Sequence, residues 1–303
     1  MCCTHTSPSR TSPSHTSRRG LSRTDFVIVL CVTGVVISLV IVILGRQRRE
    51  HMRWVDRRNF KFVALAIHSF AGSYKRLPPA FDRVPTLKMD GAVGDAWGLS
   101  FAASMHVHLL PYVEQDELYK SCVKQGEVVA DAVVSQFLGR REEDEAGVQH
   151  FTANLRVFSD RGVSTSFDRP MPRLAEIEPG TARFQTTFTD GTSNTIAFST
   201  KFAKCGDGGS RYAAAPNTPF AAFFGEVPAI STANSFGTNV TFQLAPADHE
   251  CLSSPLLAQS FSEFAITVAL ADGSVRQVAA TISPGTWNAA MQPNDGNQLG
   301  EDW

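Results

Sequence analysis

Residues 26–44 read FVIVLCVTGVVISLVIVIL, and residues 45–79, GRQRREHMRWVDRRNFKFVALAIHSFAGSYKRLPP, follow without a proline until Pro78. The first stretch carries no charge and has the length of a membrane-crossing helix, which needs about 20 apolar residues. In the second stretch Phe60, Val63, Ile67, Phe70 and Tyr74 recur at helical spacing, so an amphipathic helix is expected to continue from the span. Leu77-Pro78-Pro79 should stop it, because proline removes a backbone donor and biases the residue before it away from helix. The predicted object is one long helix whose first half faces lipid and whose second half packs on the rest of the chain.

The approach to the span is as informative as the span. Residues 1–19 are rich in Ser, Thr, Pro, His and Arg without apolar periodicity, which reads as a disordered basic leader. Arg18-Arg19-Gly20 then leads through Leu21, Ser22, Arg23 and Thr24 to Asp25, an acid touching the apolar run. A carboxylate at the edge of a membrane is costly without a partner and marks a functional candidate. An ordinary signal anchor with Asp25 at the interface is the competing reading.

Charge is distributed unevenly along the chain. Residues 1–61 hold 11 of the 28 basic residues and 3 of the 29 acidic ones, so the remainder is net −9. An acidic C-terminal portion argues against nucleic acid as a partner. Basic residues flank the span on both sides, with more of them after it. By the positive-inside rule alone the C-terminal portion would stay in the cytoplasm.

Beyond Pro79 the pattern changes to short apolar runs divided by Gly, Pro, Asn and Asp. Val107 to Val113 is expected to be a strand, and Gln115 to Val123 a short helix. Asp190-Gly191 lies between RFQTTFT and SNTIAFST, and Asp272-Gly273 between FAITVALA and SVRQVAA; both read as tight hairpin turns between β-prone segments. Residues 124–150, with the cluster Arg140 to Glu145, read as a solvated loop or helix, and residues 206–250 as surface loops. The organisation is therefore a leader (1–20), a transmembrane helix (21–44), an amphipathic stem helix (45–76) and a β-rich domain (77–303). The fold class is α+β, with the long N-terminal helix packed on a mostly antiparallel sheet.

These residues resemble a family of bacterial prepilin-like proteins that join a type IV pilin N-terminus to a large C-terminal domain of unknown function. The basic stretch and Gly20, Asp25 at the position of the family's Glu, and Gly34 nine residues later keep the register. Asn59-Phe60-Lys61, Leu65-Ala66-Ile67-His68 and Leu77-Pro78-Pro79 follow in step. Further blocks are Leu109-Leu110-Pro111-Tyr112-Val113-Glu114-Gln115, Glu117-Leu118-Tyr119, Thr189 to Thr195, and Ala271 to Arg276 with Trp287 after it. The chain departs from the pattern at Ser262, where the family has a His ten residues before the second Asp-Gly. It departs again at Val157-Phe158-Ser159-Asp160, which lacks the family's cysteine, and at Leu21 and Arg23.

The resemblance implies a prepilin peptidase that cuts between Gly20 and Leu21, leaving an amine that Asp25 of a neighbouring copy neutralises in a homo-oligomer or pilin-like filament. It also implies a bacterial inner-membrane protein, single-pass, with its N-terminus in the cytoplasm and its C-terminal domain periplasmic or on the cell surface. A permanently anchored binding module for a glycan, peptide or envelope protein is the alternative.

No catalytic constellation emerges. His106 and His108 would share one face of a strand, and Asp248-His249-Glu250 is a dense trio, but no HExxH or comparable spacing accompanies them. Ser193 has no GxSxG elbow. His68 on the stem reads as a satisfied structural histidine, and Cys205 near Lys201 and Lys204 could have a lowered thiol pKa. Three cysteines outside the leader and span, Cys122, Cys205 and Cys251, with no CxxC spacing, admit one disulfide at most and no zinc site. A calcium-stabilised loop at Asp190 or Asp272 is a minor alternative. The expectation is a protein that is not an enzyme and takes no cofactor and no metal.

Overall fold

The computed structural model describes residues 23–84, 101–139, 146–159, 180–205, 209–213, 222–225, 241–246 and 257–303. The leader, the processing site at Gly20 and Leu21, the side chain of Asp25, the cluster Arg140 to Glu145, Asp160, Asp248-His249-Glu250 and Cys251 lie outside them. The chain divides into two compact units, Met1–Glu50 and His51–Trp303. One helix, α1 (Arg23–Tyr74, 52 residues), contributes to both.

In the first unit, Phe26–Gly45 has a mean hydropathy of 3.3 and none of it is buried. Among the described residues it is one helix long and apolar enough to cross a membrane. Its two hydroxyl side chains are satisfied within the helix: Thr33 donates to the Val29 and Leu30 carbonyls and Ser38 to the Val35 carbonyl. That is what a hydrocarbon solvent requires of polar groups.

In the second unit the predicted stripe of α1 is the core. Phe60, Val63 and Phe70 are fully buried, Ile67 is 4% exposed, and Tyr74 packs partly buried against them. They cover one face of a five-stranded sheet of order β5-β3-β4-β8-β9, where β3 is Phe151–Asn154, β4 Ile196–Thr200, β5 Phe223–Phe224, β8 Ala265–Leu270 and β9 Val275–Ala279. Phe151, Ala153, Phe198, Phe223 and Ala269 supply that face, and the Phe60 and Phe151 rings meet at 4.1 Å. Only β3 and β5 pair in parallel within this sheet.

The other face is just as dry. Ile196, Phe224, Ile266, Val268, Leu270 and Val278 point to it, in the alternation that the pleat demands, and α5 (Pro284–Met291) covers them with Trp287, Ala290 and Met291. A register shift between Ile196 and Phe198 lets β4 serve both faces. Asn154, on the α5 side, donates to the Ile196 and Met291 carbonyls and accepts from the Arg156 amide. That single amide ties sheet, α5 and the start of α4 (Leu155–Phe158) together.

Smaller pieces close the rim. β1 (Phe81–Val84) pairs antiparallel with β2 (Phe101–Ser104), and β6 (Gln243–Leu244) pairs in parallel with β7 (Gln259–Ser260). Asn59 on the stem donates to the Ser135 and Leu138 carbonyls at 3.0 and 2.8 Å, fastening the 135–138 turn.

Two expectations change. Val107–Val113 is no strand: α2 (Met105–Leu109) and a 3-10 turn (Leu110–Val113) occupy it, because a short apolar run has no periodicity that separates strand from buried helix. RFQTTFT is likewise a series of turns over Phe184–Thr187 and not the partner of β4, which pairs with β3 and β8. Trp287, which follows the second Asp-Gly block, lies at the centre of α5, whose Ser283 cap and first-turn Pro284 are a helix start signal. The helix at Asp116–Gln125 (α3) and the end of α1 at Tyr74 match the expected elements closely.

Two measurements follow. Ile67→Asp puts a charge between α1 and the sheet and should destabilise the domain by about 3–5 kcal/mol, enough to abolish protease resistance; unaltered resistance would contradict the packing. His106 and His108 are both wholly buried on α2, and burial pushes each down to about 4, with the nearby Asp82 opposing in the case of His108. The unfolded chain therefore binds these protons first, so the stabilisation is complete above pH 6.5 and fades as pH falls towards 4. Each histidine contributes on the order of 3 kcal/mol to that slope. Denaturant midpoints at pH 7.0, 5.5 and 4.5 should drop steadily, and a flat profile would contradict it.

Candidate functional site

The two Asp-Gly segments, 82 residues apart in sequence, meet against the stem. In the second, β8 and β9 are joined by Ala271-Asp272-Gly273, where Gly273 donates to the Leu270 carbonyl and Leu270 to the Ser274 carbonyl. Gly273 has φ +87°, so this is a three-residue hairpin loop with a left-handed closing residue, a conformation in which a side chain is strained. Asp272 accepts from the Ser274 amide at 2.8 Å and holds the turn.

The first segment makes a loop instead of a hairpin. Gly191 (φ +101°) donates to the Phe188 carbonyl, Asn194 reaches the Asp190 carbonyl, and Thr195 donates to the Gly191 carbonyl. Asp190 accepts from the Gly296 amide with both carboxylate oxygens, at 3.1 and 3.2 Å. The loops are joined directly: Asp272 donates its amide to the Thr192 carbonyl and Ala271 to the Thr195 carbonyl.

The stem locks onto this junction. His68 Nε2 donates to the Ala271 carbonyl at 3.1 Å, and its ring lies parallel to Phe184 at 4.3 Å. Phe184 in turn stacks on Phe188, at the mouth of the first loop. Gly273 faces Ala64 of the stem. Asp190, Gly191, Asp272, Gly273 and His68 thus form one assembly around the sheet end, and their acids are engaged by backbone donors. Chemically the arrangement is a clamp: the Asp272 carboxylate holds its own turn, and the Asp190 carboxylate holds the Gly296 amide of the C-terminal segment.

The remaining sequence candidates are dispersed. His106 and His108 are buried and sit two apart on a helix, so they diverge instead of sharing a strand face; they are not the surface histidines a strand would have displayed. His106 Nε2 donates to the Phe151 carbonyl, and its ring packs edge-on against Phe137. Among the described residues no group of three His, Cys, Asp or Glu is placed to hold a metal ion. Cys205 is disulfide-bonded, so it has no thiol for Lys201 or Lys204 to activate. Cys122 is a free thiol, but it is buried, accepts from the Val129 amide, and burial pushes its pKa up. Ser193 lies within the first loop, and none of the hydrogen bonds described there uses it as a nucleophile would need.

Sequence reasoning missed a cavity beside the clamp, of about 330 Å³, lined by His68, Lys75, Arg76, Arg183 and Phe184 among others. The basic pair Lys75-Arg76 just before Leu77-Pro78-Pro79 was the available signal. Gly191→Ala and Gly273→Ala should each lower the unfolding free energy by about 1–2 kcal/mol through backbone strain. Wild-type denaturation midpoints in both variants would contradict the left-handed turns.

A family described as "Protein of unknown function (DUF1559)" matches residues 49–158, from the stem helix to α4. The matched stretch contains the blocks at Asn59–Lys61, Leu65–His68, Leu77–Pro79 and Leu109–Gln115; both Asp-Gly loops lie beyond it. No curated protein and no solved structure matches the chain.

Proposed function

We propose that the chain is a membrane-anchored, pilin-like or pseudopilin-like structural protein, non-catalytic, that presents a domain of unknown function on the outer side of the bacterial inner membrane. The observation that carries this reading is helix α1. Its first half exposes an uncharged run of membrane-spanning length, and its second half supplies the core stripe of a folded domain. Large apolar side chains such as Phe26, Ile37, Ile41 and Val42, each about 60% exposed or more, need an apolar solvent.

The disulfide at Cys205 supports the outward placement of the domain, since such bonds persist in oxidising compartments. Long domains also cross the membrane largely regardless of the charges beside the span. The commitment of Asp190 and Asp272 to backbone donors supports a structural role for the motif loops. On this reading prepilin peptidase removes residues 1–20, and the new amine of Leu21 meets Asp25 of a second copy, so that the buried acid sets the stagger between neighbouring helices.

Mass spectrometry of the protein from its native membrane should find Leu21 as the first residue. An intact leader would contradict cleavage and favour the anchored binding module for a glycan, peptide or envelope protein. Cys31, exposed on the span and free, should crosslink neighbouring copies, and Asp25→Ala should reduce that yield several-fold. Because Cys122 is buried and Cys205 is bonded, sidedness is best read from Lys124→Cys on the exposed face of α3. An impermeant maleimide should label it in intact cells, and protection until lysis would contradict the outward orientation.

A further inference from the structure

The stem carries, at its N-terminal end, a basic and aromatic face that lies away from the domain core. Trp54, Arg57 and Arg58 are exposed, Trp54 at 55%, and with 3.6 residues to the turn they share a sector of about 100°. The Arg58 guanidinium lies over the Trp54 ring, 5.0 Å from its centroid. Asp56, the acid between them in sequence, is 3% exposed and turns inward with Phe60 and Val63. The exposed face of this turn is therefore basic.

Exposed cations are satisfied by water, and by themselves they call for no partner. What distinguishes these is their place in the chain. Nine residues of one continuous helix, about 13 Å, separate Gly45 at the end of the apolar run from Trp54, and helical side chains lean back toward the N-terminus, here toward the span. The interfacial layer of a bilayer reaches about 5–7 Å beyond the hydrocarbon, and the field of charged lipid extends roughly 8–10 Å further at ordinary ionic strength. Trp54 and the heads of Arg57 and Arg58 thus stand within reach of the surface at which the span ends. Covalent connection holds them there without an association cost. Arg46, Arg48, Arg49 and Arg53 precede them in sequence. With the domain on the outer side, all of these arginines lie where the positive-inside rule does not require them, so topology alone gives them no use.

We infer that the base of the stem is a headgroup-binding collar: Arg57 and Arg58 engage the phosphates of anionic lipid in the bilayer that holds the span, and Trp54 settles at the interface beside them. Guanidinium forks match phosphate oxygens, and tryptophan collects at the boundary between lipid and water. The collar presupposes the membrane anchor proposed above and adds to it the class of lipid. It works in either leaflet, and with the leader cleaved or intact.

The test uses the full chain reconstituted in phosphatidylcholine vesicles with and without phosphatidylglycerol. Flotation with pure phosphatidylcholine reports the anchor alone, and a chain that fails to float would contradict the anchor itself. Spin-labelled lipids in the mixed vesicles then report which headgroup gathers around the protein. Phosphatidylglycerol should be preferred, and the preference should fall at least about twofold in Arg57→Gln/Arg58→Gln. Lys120→Gln/Lys124→Gln, which removes the same charge from the exposed face of α3, should keep it. A phosphatidylglycerol with a photoactivatable headgroup should crosslink to residues 54–58. In a chain that does float, no preference for phosphatidylglycerol, an undiminished preference in Arg57→Gln/Arg58→Gln, an equal fall in the α3 variant, or crosslinks confined to residues before 54 would each overturn the collar.

Discussion

Everything in the domain depends on the burial of one stripe of α1 against one face of one sheet. Phe60, Val63, Ile67 and Phe70 have no water-exposed alternative that would not cost several kcal/mol, and they share that side of the sheet with Phe81, His106 and Phe158, which pack on Phe223 and Phe198. Once the stripe is seated, Asn59 can reach the 135–138 turn and His68 the Ala271 carbonyl. The helix therefore acts as a structural element of the domain and also as the segment that leads out of it. The stem half of the helix is thereby inseparable from the fold of the second unit.

The opposite face explains why the central strands read poorly as alternating patterns. β8 sends Ile266, Val268 and Leu270 to α5 and Ala269 to the stem. Strands buried on both faces lose the polar half of the alternation. The stem stripe was legible because a 3.6-residue period persists over four turns, and the β8–β9 hairpin because Asp272-Gly273 interrupts two β-prone runs. The run at 107–113 was not legible, since its apolar residues fit a strand and a short buried helix equally. The two-residue β5 and the role of α5 depend on tertiary contacts that no local pattern announces, although Ser283-Pro284 marked the helix start.

The same distinction applies to the site. The two Asp-Gly pairs were visible as turns, yet nothing local indicated that Thr192 and Thr195 would accept from Asp272 and Ala271. Nor did spacing suggest that His68 would close the junction. Cations at 75, 76 and 183 converge only after the stem has docked, so the cavity is a product of the fold and could not precede it. The sequence motifs thus describe a clamp, and apart from His68 the cavity beside it is lined by residues that the motifs do not include.

The most direct test of the central claim is hydrogen exchange on the full chain in detergent, resolved by residue. If the stem stripe is the core of the domain, the amides of Phe60 to Phe70 should exchange only through global unfolding, with the same protection as those of β8. Loss of protection in the stem while β8 remains protected would show that the sheet stands without the helix, and would contradict the account.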